Sequence, residues 1–167
     1  MKVELKILDP RLPGWGFPSW GSSLAAGLDL HACLDDTLIV RPQAPAILIS
    51  AGIAFRIGDS EWCALILPRS GLGHQEGLVL GNTVGVIDAD YEGPCLISAW
   101  NRNSGGEGIS VRPGARIAQL VFTRIARPEF AIVSAFSASG SRQQGGFGST
   151  GIEAACPDPL PRRNSSS

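Results

Sequence analysis

The feature that most constrains the fold is a period-two alternation of apolar and polar residues in many short runs. Near the N-terminus Val3, Leu5 and Ile7 alternate with charged residues, and this period places alternate side chains on opposite faces of a strand. Most runs are bounded by Gly, Pro, Asp, Asn or Ser, which supply turns. The pattern predicts an all-β protein, a jelly-roll-like sandwich or barrel of many short strands. The further runs lie at 28–33, 38–40, 46–49, 53–57, 62–67, 84–87, 96–100, 109–111, 117–123 and 130–133, with one helical turn near 73–77.

Length and composition predict one folded domain followed by a flexible end. The chain has 167 residues, 44% hydrophobic and 17% charged, which is typical of a single globular domain. From residue 137 it becomes rich in Ser, Gly and Gln, a composition that buries too little apolar surface to offset chain entropy. We expect a single β domain over 1–136, a mobile glycine-rich arm over 137–151 and a disordered tail over 152–167.

Charge, cysteine spacing and hydropathy exclude several classes of protein. A net charge of -1 argues against a nucleic-acid binder held by bulk positive charge. The four cysteines contain no C-x-x-C pair, so a zinc site is not expected and reduced cytosolic thiols are. No run reaches the roughly 18 apolar residues of a membrane span, and the N-terminus lacks the apolar core of a signal peptide. We expect a cytoplasmic protein with neither a nucleic-acid nor a membrane partner.

Two glycine-containing segments have residues suited to phosphate. Arg69, Ser70 and Gly71 follow an apolar run and offer a guanidinium fork and free backbone N–H groups. The glycine-rich segment at 142–151 contains Arg142 and Phe147 and resembles a phosphate-cradling loop with an aromatic lid. It lacks the lysine and the following helix of a P-loop. Taken alone, the first segment is more typical of a polar turn and the second of a linker.

The hairpin-like segment at 81–93 has the residues to bind a nucleoside. Extended backbone at Val86 and Ile87 could read the edge of a base, and the ring of Tyr91 could pack on a sugar. Asp88 could hold a water molecule for attack. The alternative, a hairpin whose Asp and Gly residues only form the turn, is equally compatible with these residues taken alone.

Three polar residues have positions that depend on strand geometry. Asp29 lies between two leucines, so on a regular strand it faces away from them. It is then either a solvated outward residue, which the pattern alone favours, or an outer-sphere partner of Mg²⁺. Arg116 and Gln119 are three residues apart and point to opposite faces of a regular strand. A shared ligand requires a bulge or a subunit boundary between them. His31 is expected to be incidental.

The order and spacing of these segments carry a family resemblance. The segments AGLDL at 26–30, PRSGL at 68–72, the hairpin at 81–93, the stretch at 112–122 and the glycines at 145–151 occur in order. Over about residues 2–151 the sequence resembles the homotrimeric deoxyuridine triphosphatases, the dUTPases. The resemblance implies a jelly roll whose three subunits share each active site. It also implies Mg²⁺-dependent hydrolysis of dUTP to dUMP and pyrophosphate, which limits uracil incorporation into DNA and supplies dUMP for thymidylate synthesis.

The resemblance also implies a role for each candidate residue. Asp88 would orient and deprotonate the attacking water, and Asp29 would contact Mg²⁺ through water. The remaining assignments are phosphate binding by Arg69, Ser70, Gly71 and Gln119, uracil reading by Asn82 and the backbone of Val86, Ile87 and Asp88 with Leu96 as lining, sugar selection by Tyr91, and closure of the arm through Arg142 and Phe147.

Two other functions share this fold or this ligand. A dCTP deaminase needs a general acid/base, typically a glutamate, near the cytosine amino group. Glu92 stands beside Tyr91, but no deaminase motif accompanies it. A non-catalytic nucleotide-binding regulatory protein would not need a water-orienting carboxylate, so the presence of both Asp29 and Asp88 argues against it.

Overall fold

A computed structural model of the chain describes residues 1–137, which form ten β-strands and two short helices. The helices are a 3₁₀ turn at Leu12–Trp15 and a π-helical turn at Leu72–Glu76, the second where the sequence predicts a helical turn. Within the described residues no helix is long and apolar enough to cross a membrane. The strands are β1 Glu4–Ile7, β2 Leu28–His31, β3 Leu38–Val40, β4 Ile47–Arg56, β5 Trp62–Pro68, β6 Leu78–Leu80, β7 Gly85–Ile87, β8 Pro94–Asn101, β9 Ile109–Val111 and β10 Arg116–Arg124.

The strands form three antiparallel sheets around one apolar core. The first sheet has the order β1-β4-β8-β6, the second β2-β10-β5-β7, and β3 pairs with β9. Leu30, Ile53, Ile97 and Leu120 come from both four-stranded sheets and are almost completely buried. The predicted all-β, jelly-roll-like fold is therefore confirmed. Burial alternates clearly along β8, whereas all four residues of β2 are buried and all four of β1 are exposed.

Strand β4 differs from the sequence prediction of two strands. The runs at 46–49 and 53–57 belong to one continuous strand that passes through Gly52, whose φ is +70°. The register with β8 shifts between Ser50 and Ala54, so the strand contains a bulge at this glycine. The bulge keeps β4 paired with β8 on one side and with β1 on the other.

Two further segments also differ from the sequence prediction. Strand β6 has only three residues, between Gly77 and Gly81, and is too short to show a period. The predicted strand at 130–133 is absent, and Phe130 and Ile132 are exposed. Contacts divide the chain into Met1–Arg127, which contains every strand described above, and Pro128–Ser167.

Candidate active site

The hairpin at 81–93 borders a cavity of about 250 Å³ beside strand β7. Strand β7 lies at the end of its sheet and pairs with β5 on one side only, Val86 opposite Leu65. Its outer backbone edge therefore offers N–H and C=O groups that no strand of the described residues uses. Ile87 is buried, whereas Val86 is 65% exposed. The cavity also contains the predicted residues Asn82, Asp88, Tyr91 and Leu96.

Tyr91 is held against the hairpin by two hydrogen bonds, and a glycine leaves room for its ring. Its hydroxyl donates to the carbonyl of Pro94 over 3.1 Å, and its backbone N–H donates to the carbonyl of Asp88 over 3.2 Å. A Cβ atom at Gly93 would collide with the tyrosine ring, its Cζ atom lying at 2.6 Å. The glycine therefore permits the ring to fold back over the backbone and face the cavity.

Two of the three carboxylates of the hairpin, Asp88 and Glu92, have different surroundings. Asp88 is exposed and lines the hairpin cavity. Glu92 forms an ion pair with the Nε atom of Arg56 at 3.2 Å and lines another cavity, beside β1. Glu92 therefore does not line the hairpin cavity, where a deaminase would need its acid/base, whereas Asp88 does.

The second group of predicted residues surrounds Asp29 on strand β2. This carboxylate is only 8% exposed, so the expectation of a solvated outward residue is wrong. Its Oδ1 atom lies 3.0 Å from Nε of Arg69, and its Oδ2 atom lies 3.0 Å from Nη1 of Arg116. The alternation rule places Asp29 away from the leucines correctly, but two arginines distant in sequence cover that side. Two charge-assisted hydrogen bonds hold the carboxylate in one orientation.

A β-bulge brings Arg116 and Gln119 to the same face of the sheet. Gln119 pairs directly with Asp29, and Arg116 pairs with His31, with the register shift lying between Arg116 and Ala118. The extra residue rotates the side chain of Arg116 to the face that also carries Gln119. This is the bulge that the spacing of these residues requires for a shared partner.

The residues that the sequence predicts to bind phosphate line a cavity of about 370 Å³. Gln119 donates from Nε2 to the carbonyl of Pro68 over 3.0 Å, and its side chain lies so close to Gly27 that a Cβ atom there would overlap it. Arg69 also donates from Nη1 to the carbonyl of Arg116 over 3.2 Å. The predicted residues brought together here are Asp29, Arg69, Ser70, Gly71 and Gln119.

The predicted residues therefore fall into two halves on one chain. The hairpin cavity and the cavity at Asp29 share no lining residue. Arg142 and Phe147 lie outside the described residues. We call the two groups the hairpin half and the phosphate half.

Cys95 lines the hairpin cavity although the sequence pattern does not single it out. It follows Pro94 on β8, and its side chain is almost fully buried. Burial raises the pKa of its thiol from 9.0 to about 12. The cavity therefore has a neutral, unreactive wall at this point. The neighbouring Leu96, which the resemblance implies, is the signal that could have found it.

The acidic side chains of the described residues limit how Mg²⁺ can be held. Within 1–137 no group of three or more His, Cys, Asp or Glu side chains could hold a metal ion. Asp29 is the one carboxylate in the phosphate half, and each of its oxygens, although paired with an arginine, retains a lone pair. This fits a contact through water to an ion carried by a triphosphate, and it does not fit a cage of protein ligands.

An antiparallel jelly roll with one cavity beside the hairpin and a second cavity lined by Asp29, Arg69 and Gln119 is typical of a class of nucleotide-binding enzymes. The family profile described as dUTPase matches residues 14–151. The deoxyuridine 5'-triphosphate nucleotidohydrolases of Salmonella typhimurium and Salmonella typhi are 48% identical over 151 residues, which is 90% of this chain and 97% of each relative. The chain belongs to the dUTPase family.

Solved structures share the same fold. The dUTPase of Staphylococcus bacteriophage 80alpha with dUpNHpp is 25% identical, superimposes with a TM-score of 0.74, and covers 90% of this chain and 99% of that chain. The dUTPase of phage phi11 of S. aureus is 22% identical with a TM-score of 0.70, covers 83% of this chain and 99% of that chain, and supports the fold alone.

Proposed function

We propose that this protein hydrolyses dUTP to dUMP and pyrophosphate in active sites shared between the subunits of a homotrimer. The observation that carries the proposal is the division of the candidate residues between a hairpin half and a phosphate half that share no lining residue. Membership of the dUTPase family and the 48% identical dUTP nucleotidohydrolases support the substrate. The solved relative with dUpNHpp supports a triphosphate ligand.

The hairpin half selects the base and the sugar. Uracil pairs with the free backbone edge of β7 from Val86 to Asp88 and with the amide of Asn82, and Leu96 packs beside it. Cytosine presents the reversed donor and acceptor pattern, so buried polar groups stay unpaired at about 1–3 kcal/mol each. The ring of Tyr91, held by its bond to Pro94, occupies the space that a ribose 2′-hydroxyl needs.

The phosphate half of a neighbouring subunit binds the triphosphate. Arg69 supplies charge, the backbone N–H groups at Ser70 and Gly71 point to phosphate oxygens, and Gln119 adds an amide donor. Only part of each arginine is occupied by Asp29, because each guanidinium carries five N–H donors. The pair of arginines around one carboxylate is therefore preorganised before the anion arrives.

Asp88 supplies the chemistry. Its exposed carboxylate accepts a proton from a water molecule, and the resulting oxygen attacks the α-phosphorus. The bond from that phosphorus to the bridging oxygen breaks, and pyrophosphate leaves with the electron pair. Positioning and charge stabilisation supply most of the rate in such a phosphoryl transfer.

Mg²⁺ belongs in this scheme as a partner of the triphosphate. When bound, it neutralises phosphate charge and favours one geometry of the chain of phosphates. Asp29 contacts it through water and is oriented by Arg69 and Arg116. The arm at 137–151, with Arg142 and Phe147, completes the active site by closing over the bound nucleotide and excluding bulk water.

A nucleotide panel tests reaction, base and sugar together. Pyrophosphate release is measured for dUTP, UTP, dCTP and dTTP with Mg²⁺, and ammonia release is measured for dCTP. We expect hydrolysis of dUTP alone, and Asp88→Asn should bind dUpNHpp while losing turnover. The proposal is overturned by ammonia release from dCTP, by dUTP binding without turnover in the unmodified protein, or by full activity of Asp88→Asn.

A further inference from the structure

One buried polar side chain has no part in the scheme above. His31, the last residue of β2, is 3% exposed, and its Nδ1 atom lies 2.8 Å from the carbonyl oxygen of Gly114. A carbonyl can only accept, so Nδ1 carries the proton in this bond. The ring stacks on Trp15 at 6.2 Å and meets Phe17 edge-on at 6.3 Å. His31 is thus fixed in position, and it binds the turn that precedes β10.

This turn is attached to the end of β2 by three hydrogen bonds. Besides the bond from His31, the N–H of Gly114 donates to the carbonyl of Ala32 over 2.9 Å, and the N–H of Ala32 donates to the carbonyl of Ala115 over 2.8 Å. Gly114 has a φ of +76°, and a Cβ atom there would lie 2.8 Å from the Cε2 atom of Trp15. The turn therefore packs flat on the same tryptophan that holds the histidine ring. We call these three bonds the His31 clamp.

The clamp lies directly before the bulge that forms the phosphate half. Arg116, two residues after Gly114, pairs with His31 in the sheet. Its carbonyl accepts a bond from Arg69, and its guanidinium binds Asp29. The position of Arg116 thus affects where the guanidinium of Arg69 and the carboxylate of Asp29 lie in the phosphate half.

We propose that His31 is a positioning residue for the phosphate half, acting through the Gly114 turn on Arg116. It touches no substrate. This inference rests on the proposed function for the identity of the anion, but the arrangement of clamp, bulge and arginines is a property of the described residues. The clamp leaves the hairpin half untouched, because no residue of the hairpin cavity belongs to it.

Three substitutions distinguish the effect of the hydrogen bond from the effect of the size of the ring. His31→Leu removes the donor, His31→Asn places an amide nitrogen near the position of Nδ1, and His31→Gln places one near the position of Nε2. We expect His31→Leu and His31→Gln to raise KM for dUTP on the order of tenfold, because the Gly114 carbonyl loses its partner. His31→Asn should stay within about twofold of the unmodified protein.

Ligand binding distinguishes positioning from general support of the fold. Calorimetry with pyrophosphate and with deoxyuridine probes the two halves separately. We expect His31→Leu to weaken the binding of pyrophosphate on the order of tenfold and the binding of deoxyuridine by less than about twofold. In the Arg116→Lys variant, adding His31→Leu should weaken pyrophosphate binding by less than a further factor of about two, because the clamp acts through Arg116.

Several outcomes would overturn the inference. Equal weakening of both ligands means that the ring only supports the fold, and unchanged pyrophosphate binding in folded His31→Leu means that the clamp is dispensable. If His31→Leu does not fold, an equal KM for dUTP in His31→Asn and His31→Gln also means that the hydrogen bond of the clamp is dispensable. An unmodified protein that binds pyrophosphate but does not hydrolyse dUTP refutes the proposed function, and the comparison of variants still tests the clamp.

Discussion

The carboxylate of Asp29 is the most sensitive single group in the phosphate half. Asp29→Asn keeps the shape but removes the charge between Arg69 and Arg116, whose nitrogens lie 3.0 Å from its two oxygens. Breaking a fully buried ion pair costs about 3–5 kcal/mol. The arginine side chains are 33% and 48% exposed, so solvent screens part of this loss and we expect about 2–3 kcal/mol.

Thermal unfolding at one protein concentration measures this loss. For a chain of this size, about 2–3 kcal/mol lowers the midpoint by roughly 6–10 °C. Asp36→Asn is the matched control, because Asp36 is exposed and has no ion pair among the described residues. A midpoint for Asp29→Asn that equals that of the control would refute the reasoning. KM for dUTP should rise only in Asp29→Asn.

Three other consequences can be measured directly. Gly93→Ala places a methyl group against the ring of Tyr91 and should reduce the preference for dUTP over UTP by about tenfold; an unchanged ratio of kcat/KM values contradicts it. Gly27→Ala displaces Gln119 and should raise KM for dUTP while the unfolding midpoint falls by a few degrees, about 1 kcal/mol; unaltered kinetics would exclude the contact. Because the pKa of Cys95 is raised from 9.0 to about 12, its stabilising contribution is complete below about pH 9 and declines as the pH rises towards 12. Iodoacetamide at pH 8.5 should therefore modify this cysteine only after unfolding, as mapped by mass spectrometry.

The sequence pattern predicts the fold because short apolar runs are bounded by turn residues, and burial with period two is clearest in β8. It fails where a strand passes through a glycine, as β4 does at Gly52, because the bulge interrupts the alternation. It also fails at β6, whose three residues are held by pairing with β8 and not by a local preference. Local patterns report local geometry, and these two features depend on neighbouring strands.

The candidate site follows the same division. Ordered motifs in the sequence predict the residues of each half. They do not predict the environment of Asp29, because Arg69 and Arg116 are 40 and 87 residues away in the sequence. The bulge at Arg116 and the contact from His31 to Gly114 depend on the register between β2 and β10. Register is a tertiary property. The spacing of three residues between Arg116 and Gln119 therefore indicates only that a shared ligand requires a bulge or a subunit boundary.

Complementation between two inactive variants tests most directly whether two chains build each active site. Asp88→Asn damages the hairpin half, Arg69→Ala damages the phosphate half, and each alone should release almost no pyrophosphate from dUTP. Random co-assembly in equal amounts should restore about one quarter of the unmodified activity, since that share of sites combines two intact halves. Activity no greater than the average of the separate variants, with mixed oligomers demonstrated by two affinity tags, would contradict shared sites.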